Sequence, residues 1–220
     1  MVKQEHPDGD VRLPGNDGEE GIAAAIADTE SRTSGEIVPM LVRRSSTVGH
    51  VPLLAFVLLL LFVVLAEIPE YLSLLGGPEW LWLATSWLVA GGLALGLSRL
   101  DAVARLLTPR DDQIQQVGLR AELEFFENEV GQTEQDTGIL LFVSLMEHRA
   151  VVLADRAIAE KLDPEVWQEL VDLMLQGVSR GDLADGMTQA IARCGDLLAP
   201  HFPLAEGDEN ELRDHLIVKE

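Results

Sequence analysis

The sequence has one cysteine, Cys194, so no internal disulfide can staple the chain. That suits a reducing compartment. Basic residues are scarce: 16 Lys and Arg stand against 37 Asp and Glu, a net charge of −21. A surface of that sign repels phosphate backbones and argues against DNA or RNA as a partner. It also repels anionic lipid, except where arginines gather. The usual catalytic signatures are missing too. There is no Walker glycine loop, no G-x-G-x-x-G, no cysteine pair, no H-E-x-x-H and no G-x-S-x-G. The five histidines (His6, His50, His148, His201 and His215) are scattered, which argues against a histidine-based metal site. The opening Met1–Glu20 is polar and acidic and does not read as a signal peptide.

No Lys or Arg occurs between Ser45 and Ser98, and two long apolar runs fill that gap. Val51–Ala66 carries no charge, and with its neighbours it reaches the twenty or so residues that ~30 Å of hydrocarbon requires. Trp80–Ser98 is a second uncharged run. The segment between them, Glu67–Glu79, holds two prolines and two glycines and reads as a turn. The expectation is a transmembrane helical hairpin over 48–99, because in lipid each segment must satisfy its own backbone. Arg43 and Arg44 precede the first span, and Arg99, Arg105 and Arg110 follow the second. The turn carries only Glu67, Glu70 and Glu79. The positive-inside rule then predicts a two-pass protein of the inner (plasma) membrane with both termini and the soluble domain cytoplasmic. Tyr71, Trp80 and Trp82 would lie at the outer interface. Gly92 and Gly96, spaced small-xxx-small, are candidates for close helix packing.

Outside the hairpin the patterns alternate. Residues 1–18 read as a disordered acidic tail, in which Asp8 and Asp10 lack the spacing of a calcium loop. Glu19–Thr33 reads as a helix on Ile22 and Ile26, closed by Ser34-Gly35 with the glycine as a left-handed cap. Glu36–Val42 reads as a buried strand, and Pro39 within it suggests an edge position or a bulge. Asp111–Gln135 predicts a long amphipathic helix. Asp136-Thr137-Gly138 ends it, and Ile139–Leu145 and Ala150–Asp155 form a strand hairpin turning at Glu147-His148-Arg149. Asp163-Pro164 opens a helix, Asp182 opens another, and 205–220 reads as a second acidic tail. The predicted organisation is an α/β domain in two parts, 19–47 and 100–204, interrupted by the hairpin. The helical crossover favours the first strand lying parallel to the second.

Three stretches carry a family resemblance: SRTSGEIV (Ser31–Val38), QDTGILLFVSLMEHRAVVLAD (Gln135–Asp155) and WQELVDLMLQGVSRGDLADGMTQAI (Trp167–Ile191). Together they resemble the TPM domain family. The resemblance implies a compact α/β/α sandwich with a small mixed sheet. It also implies the properties described for some members, which are acid phosphatase activity, calcium binding and a link to photosystem repair.

If the first two strands are parallel, Glu36 and Asp136 stand at strand starts, and Asp155 ends the antiparallel third strand at the same sheet edge. Three carboxylates there are candidate ligands for a hard cation, Ca²⁺ or Mg²⁺. The functional expectation is a membrane-anchored, cytoplasmic-facing interaction or scaffold module serving membrane-protein assembly or repair. Its partners would be the lipid bilayer and a membrane protein or a second copy of itself. The alternative is a divalent-cation-dependent phosphatase acting on phosphate monoesters.

Overall fold

The computed structural model describes residues 13–47, 49–204 and 210–219. The first twelve residues of the expected N-terminal tail, with Asp8 and Asp10, lie outside them, as do 205–209. The chain divides into two units: one joins the segment up to Ser45 with Ile114 onward, the other is Ser46–Gln113.

The first unit is a sheet between helical layers. Its elements are α1 (Asn16–Glu30), β1 (Glu36–Val42), the main part of α6 (Arg110–Glu127), β2 (Gly138–Ser144), β3 (Arg149–Ala154), α7 (Arg156–Ala159), α8 (Pro164–Arg180), α9 (Leu183–Leu198) and β4 (Ile217–Lys219). The strand order is β3-β2-β1-β4. β1 runs parallel to β2 from Glu36↔Gly138 to Val42↔Ser144, and β2 runs antiparallel to β3. Both β1 and β2 are buried along their whole length, as continuous apolar strands covered on two faces should be. Their alternation feeds two cores. Ile37, Leu41, Ile139 and Leu141 pack with Ile22 and Ile26 of α1, Met174 of α8 and Met187 of α9. Val38, Met40, Leu140 and Phe142 pack with Val117 and Ala121 of α6. The result is the α/β/α sandwich with a small mixed sheet.

Four local expectations change. Pro39 does not mark an edge strand, because β4 pairs with β1 on the side away from β2. The Glu36 N–H donates to Thr137 O on the β2 side, and the Arg43 N–H donates to Lys219 O on the β4 side. By strand parity, Pro39 turns its missing donor toward the β4 side, and β4 pairing begins only at Met40. Secondly, β4 comes from the segment read as an acidic tail. Only three residues pair, too few to show a period. Thirdly, Gly35 is not a left-handed cap. Its place is set by space, since a Cβ there would lie 2.6 Å from Leu198 Cδ1. Finally, the long helix stops at Glu127, not Gln135. Glu129 takes φ 56°, and a 3-10 turn, Val130–Gln132, follows. That turn carries the Val130 carbonyl over β2, where a Cβ on Gly138 would lie 1.7 Å from it.

Where α8 meets α9, a Cβ on Gly177 would lie 2.7 Å from the Gly186 Cα. Small residues at this crossing bring the helices together and explain the glycines of the third quoted stretch. Gly181, at φ 72°, ends α8. Asp182 then caps α9 by accepting the Asp185 N–H at 3.2 Å.

The second unit contains α2 (Val51–Leu65), α3 (Ile68–Ser73), α4 (Glu79–Leu97) and α5 (Asp101–Leu107). Among the described residues one helix, α4, is long and apolar enough to cross a membrane; α2 is apolar but has 15 residues. Ser86, Ala90 and Ala94 are the buried residues of α4, one per turn, and those of α2 are Val51, Ala55 and Val63. Gly91 closes on Phe56, whereas Gly92 and Gly96 face open space. Close packing within this unit therefore uses Ser86, Ala90, Gly91 and Ala94, not the predicted glycine pair.

Candidate functional site

The sheet presents two polar edges. At its lower edge, the starts of β1 and β2, the backbone brings the predicted carboxylates near one another. Glu36 pairs with Gly138, and the Asp155 N–H donates to Gly138 O at 2.8 Å. Their side chains serve separate tasks. The Glu36 carboxylate accepts the N–H groups of Glu211 and Leu212 at 3.3 and 3.2 Å. Asp155 Oδ1 accepts the Arg156 N–H at 2.7 Å as the cap of α7, and its other oxygen is buried without a hydrogen-bond partner. Asp136 is exposed at φ 55° in a left-handed turn. Among the described residues no three His, Cys, Asp or Glu side chains come together to hold a metal ion. Glu36, Asp136 and Asp155 thus share an edge but do not form a donor set for Ca²⁺ or Mg²⁺.

A different acidic group gathers at that edge. Glu30, at the end of α1, accepts the Ile37 N–H at 3.1 Å. Burial pushes its carboxyl up to about 8, with Glu36 and Asp214 nearby adding to the rise. Burial also raises Glu36, against the two N–H donors that favour its charged form. The chain before β4 is held here, and the Glu211 carboxylate accepts the Glu134 N–H at 3.1 Å.

The upper edge lies at the carboxyl ends of the parallel strands, the usual place for ligands in open α/β sheets. Ser144 ends β2, Ser45 follows β1, and Glu147 sits in the β2–β3 turn. Ser144 Oγ donates to Glu147 Oε2 at 2.5 Å. Ser45 Oγ lies 2.8 Å from Ser144 Oγ, so with the Ser144 proton already used, Ser45 is the donor. The Ser45 N–H donates to Glu147 Oε1 at 3.1 Å. Ser144 and Glu147 are buried and Ser45 half-buried. The arrangement is a hydroxyl chain, Ser45 to Ser144 to Glu147, that polarises the outermost serine toward a carboxylate. Arg43 and Arg44 precede Ser45 and are exposed.

A third group ties α6 to the C-terminal strand. Glu124 is fully buried, lies 2.8 Å from Arg120 and pairs with Lys219 of β4.

The sequence places Glu147 in the turn after β2 and Glu124 in an amphipathic helix, and gives neither a partner. The signal for Glu124 was available: it falls seven residues after Val117 and three after Ala121, inside the buried stripe. For Ser45, Ser144 and Glu147 no local pattern exists, because two strands distant in sequence bring them together. Cys194 is buried and its thiol is pushed up to about 12 by that burial, which excludes it as a nucleophile at neutral pH.

No curated protein matches the chain. Among solved structures, the NMR structure of the BA42 protein from the psychrophilic bacterium Bizionia argentinensis is similar over 96% of this chain and 98% of that one. The TM-score is 0.59 at 17% sequence identity, a likeness of fold. Residues 102–197 match the TPM domain, so the stretch from α5 into α9, which carries Ser144, Glu147 and the Gly177–Gly186 crossing, is similar to that family.

Proposed function

We propose that the chain is a membrane-anchored protein-binding module, with Ser46–Gln113 as a two-pass anchor and the α/β unit on the cytoplasmic face of the inner membrane. The exposure of α4 carries this reading. Only 17% of its most apolar window is buried, whereas the core helix of a soluble protein would be mostly covered. Trp80, Trp87, Leu88, Val89 and Leu95 are all at least half exposed. In water such a surface would drive aggregation; in hydrocarbon it is at equilibrium. The 19 residues of α4 span about 28 Å, close to the hydrocarbon thickness. The 15 residues of α2 span about 22 Å, a mismatch that local bilayer thinning accommodates at modest cost. Arg43, Arg44, Arg99 and Arg105 supply the basic flanks that favour a cytoplasmic location for both ends. Reporter domains fused at either terminus test this: both read as cytoplasmic if the anchor crosses twice, and either one active outside overturns the reading.

A second reading, hydrolysis of phosphate monoesters, is supported by the hydroxyl chain from Ser45 to Glu147 and by the similarity to the TPM domain. It needs Ser45 as the group facing substrate, with Glu147 drawing on it through Ser144. Turnover of p-nitrophenyl phosphate by the purified full chain, lost in Ser45→Ala, would favour it over the binding module. No turnover by the unaltered chain would leave the binding module alone.

A further inference from the structure

The helix α6 has two apolar faces where a sheet-covering helix needs one. Val117 and Ala121 face the sheet and are buried. On the other side Leu119, Leu123 and Phe126, spaced by four and three residues, are 57, 47 and 74% exposed. They form a continuous stripe of the kind a helix presents to a partner. Exposed Gln115 and the exposed acids Glu122 and Glu127 stand beside it. The neighbouring cations are committed elsewhere, Arg120 to buried Glu124, and Lys219 to Glu124 and Glu127.

We infer that this outer face of α6 is a docking face for a basic amphipathic helix of a partner protein. The inference rests on reading the chain as a binding module, and it names the chemistry of what is bound. The apolar stripe takes residues at i, i+3 or i+4, and i+7 of the incoming helix, and Glu122 pairs with a flanking Lys or Arg. The same charges disfavour the two other occupants. A second copy laid stripe to stripe would bring acidic flanks against acidic flanks. An anionic lipid surface would meet Glu122 with like charge.

The test uses the full chain in nanodiscs of neutral lipid, with empty nanodiscs as baseline. The probe is a fluorescent Leu/Lys peptide with helical apolar spacing, followed by anisotropy. The expected result is saturable binding that weakens at least tenfold in the Leu119→Gln, Leu123→Gln, Phe126→Gln triple variant. Binding should also weaken several-fold in Glu122→Lys and with added salt. These side chains are exposed, so an unchanged thermal midpoint verifies that the variants fold. The inference is overturned if the triple variant binds the peptide as tightly as the unaltered chain, or if a Leu/Glu peptide binds as well. It is equally overturned if the triple variant instead separates a dimer of this chain. Cytoplasmic reporters combined with stripe-independent peptide binding would sink this docking face and leave the anchored module standing. Reporters active outside would sink the module itself.

Discussion

At the scale of single residues, burial sets two of the sharpest expectations. Glu30 binds its proton more tightly in the folded chain than in the unfolded one, with a folded value of about 8 against an ordinary 4.5. Its protonated form therefore favours folding below about pH 4.5, and that contribution is lost as pH rises toward 8. Glu30→Gln keeps an acceptor for the Ile37 N–H but cannot ionise. The substitution should stabilise the protein by about 1–2 kcal/mol at pH 8, a figure reduced for partial exposure, and by nearly nothing at pH 4. Urea midpoints at the two pH values check this, and an equal effect at both would refute the burial argument. Space sets the second expectation. Gly138→Ala drives a Cβ into the Val130 carbonyl, a backbone atom that moves only if the 3-10 turn moves. It should cost about 3 kcal/mol or more. Gly118→Ala, in the α6 helix with nothing within 4 Å, should instead stabilise by about 0.5–1 kcal/mol. Thermal unfolding of the pair separates clash from helix propensity.

At the scale of elements, the chain was legible wherever a pattern ran long enough. β1 is read correctly from EIVPMLV, and β2 is shifted by one residue from its apolar run. The parallel pairing of β1 with β2 follows from the crossover between them. The helix opening at Asp182 comes from capping, and the one at Asp163-Pro164 from proline at the first position, since the Asp163 side chain makes no capping hydrogen bond. What stayed hidden were elements held by tertiary partners. β4 has no strand-length pattern; it forms because Leu216 and Ile217 enter the two cores and Lys219 reaches the buried Glu124. The break after Glu127 was hidden likewise, because left-handed Glu129 has no glycine to announce it. The upper-edge hydroxyl chain was illegible for the same reason, since Ser45, just past β1, and Ser144, at the end of β2, stand 99 residues apart. If Lys219 is what pins β4, Lys219→Ala leaves Glu124 buried with Arg120 alone. The expected loss is about 2 kcal/mol, since truncating one member of a buried pair strands the other charge. Hydrogen exchange should show the amides of β4 opening first, while β2 remains protected. Uniform loss of protection would mean β4 is not a separate latch.

At the scale of the whole molecule, the question is which side of a bilayer each unit occupies, and the protein's own chemistry supplies a clean assay. Its one cysteine is buried in the first core and has a thiol held far from ionisation, so the native chain is silent to maleimides while folded. A single cysteine can then be added at chosen exposed positions. Ser73 lies at the end of α3 in the acidic turn, and Ser179 lies near the end of α8 in the α/β unit. If the arginines hold both ends inside, a membrane-impermeant maleimide added to intact cells should label Ser73→Cys and not Ser179→Cys. Opening the cells should make the second site react as fast as the first. Replacing Arg43 and Arg44 with Glu reverses two of the five flanking charges and should shift part of the population toward labelling at Ser179→Cys. A chain that crosses once, through α4 alone, would also separate Ser73→Cys from Ser179→Cys, but it would put the N-terminal part of the α/β unit on the Ser73 side. That outcome is physically costly, because it would tear β1 from β2 and leave seven ladder positions of buried backbone unpaired. The sheet itself therefore demands an even number of crossings between Val42 and Gly138, and the labelling pattern decides between two and none.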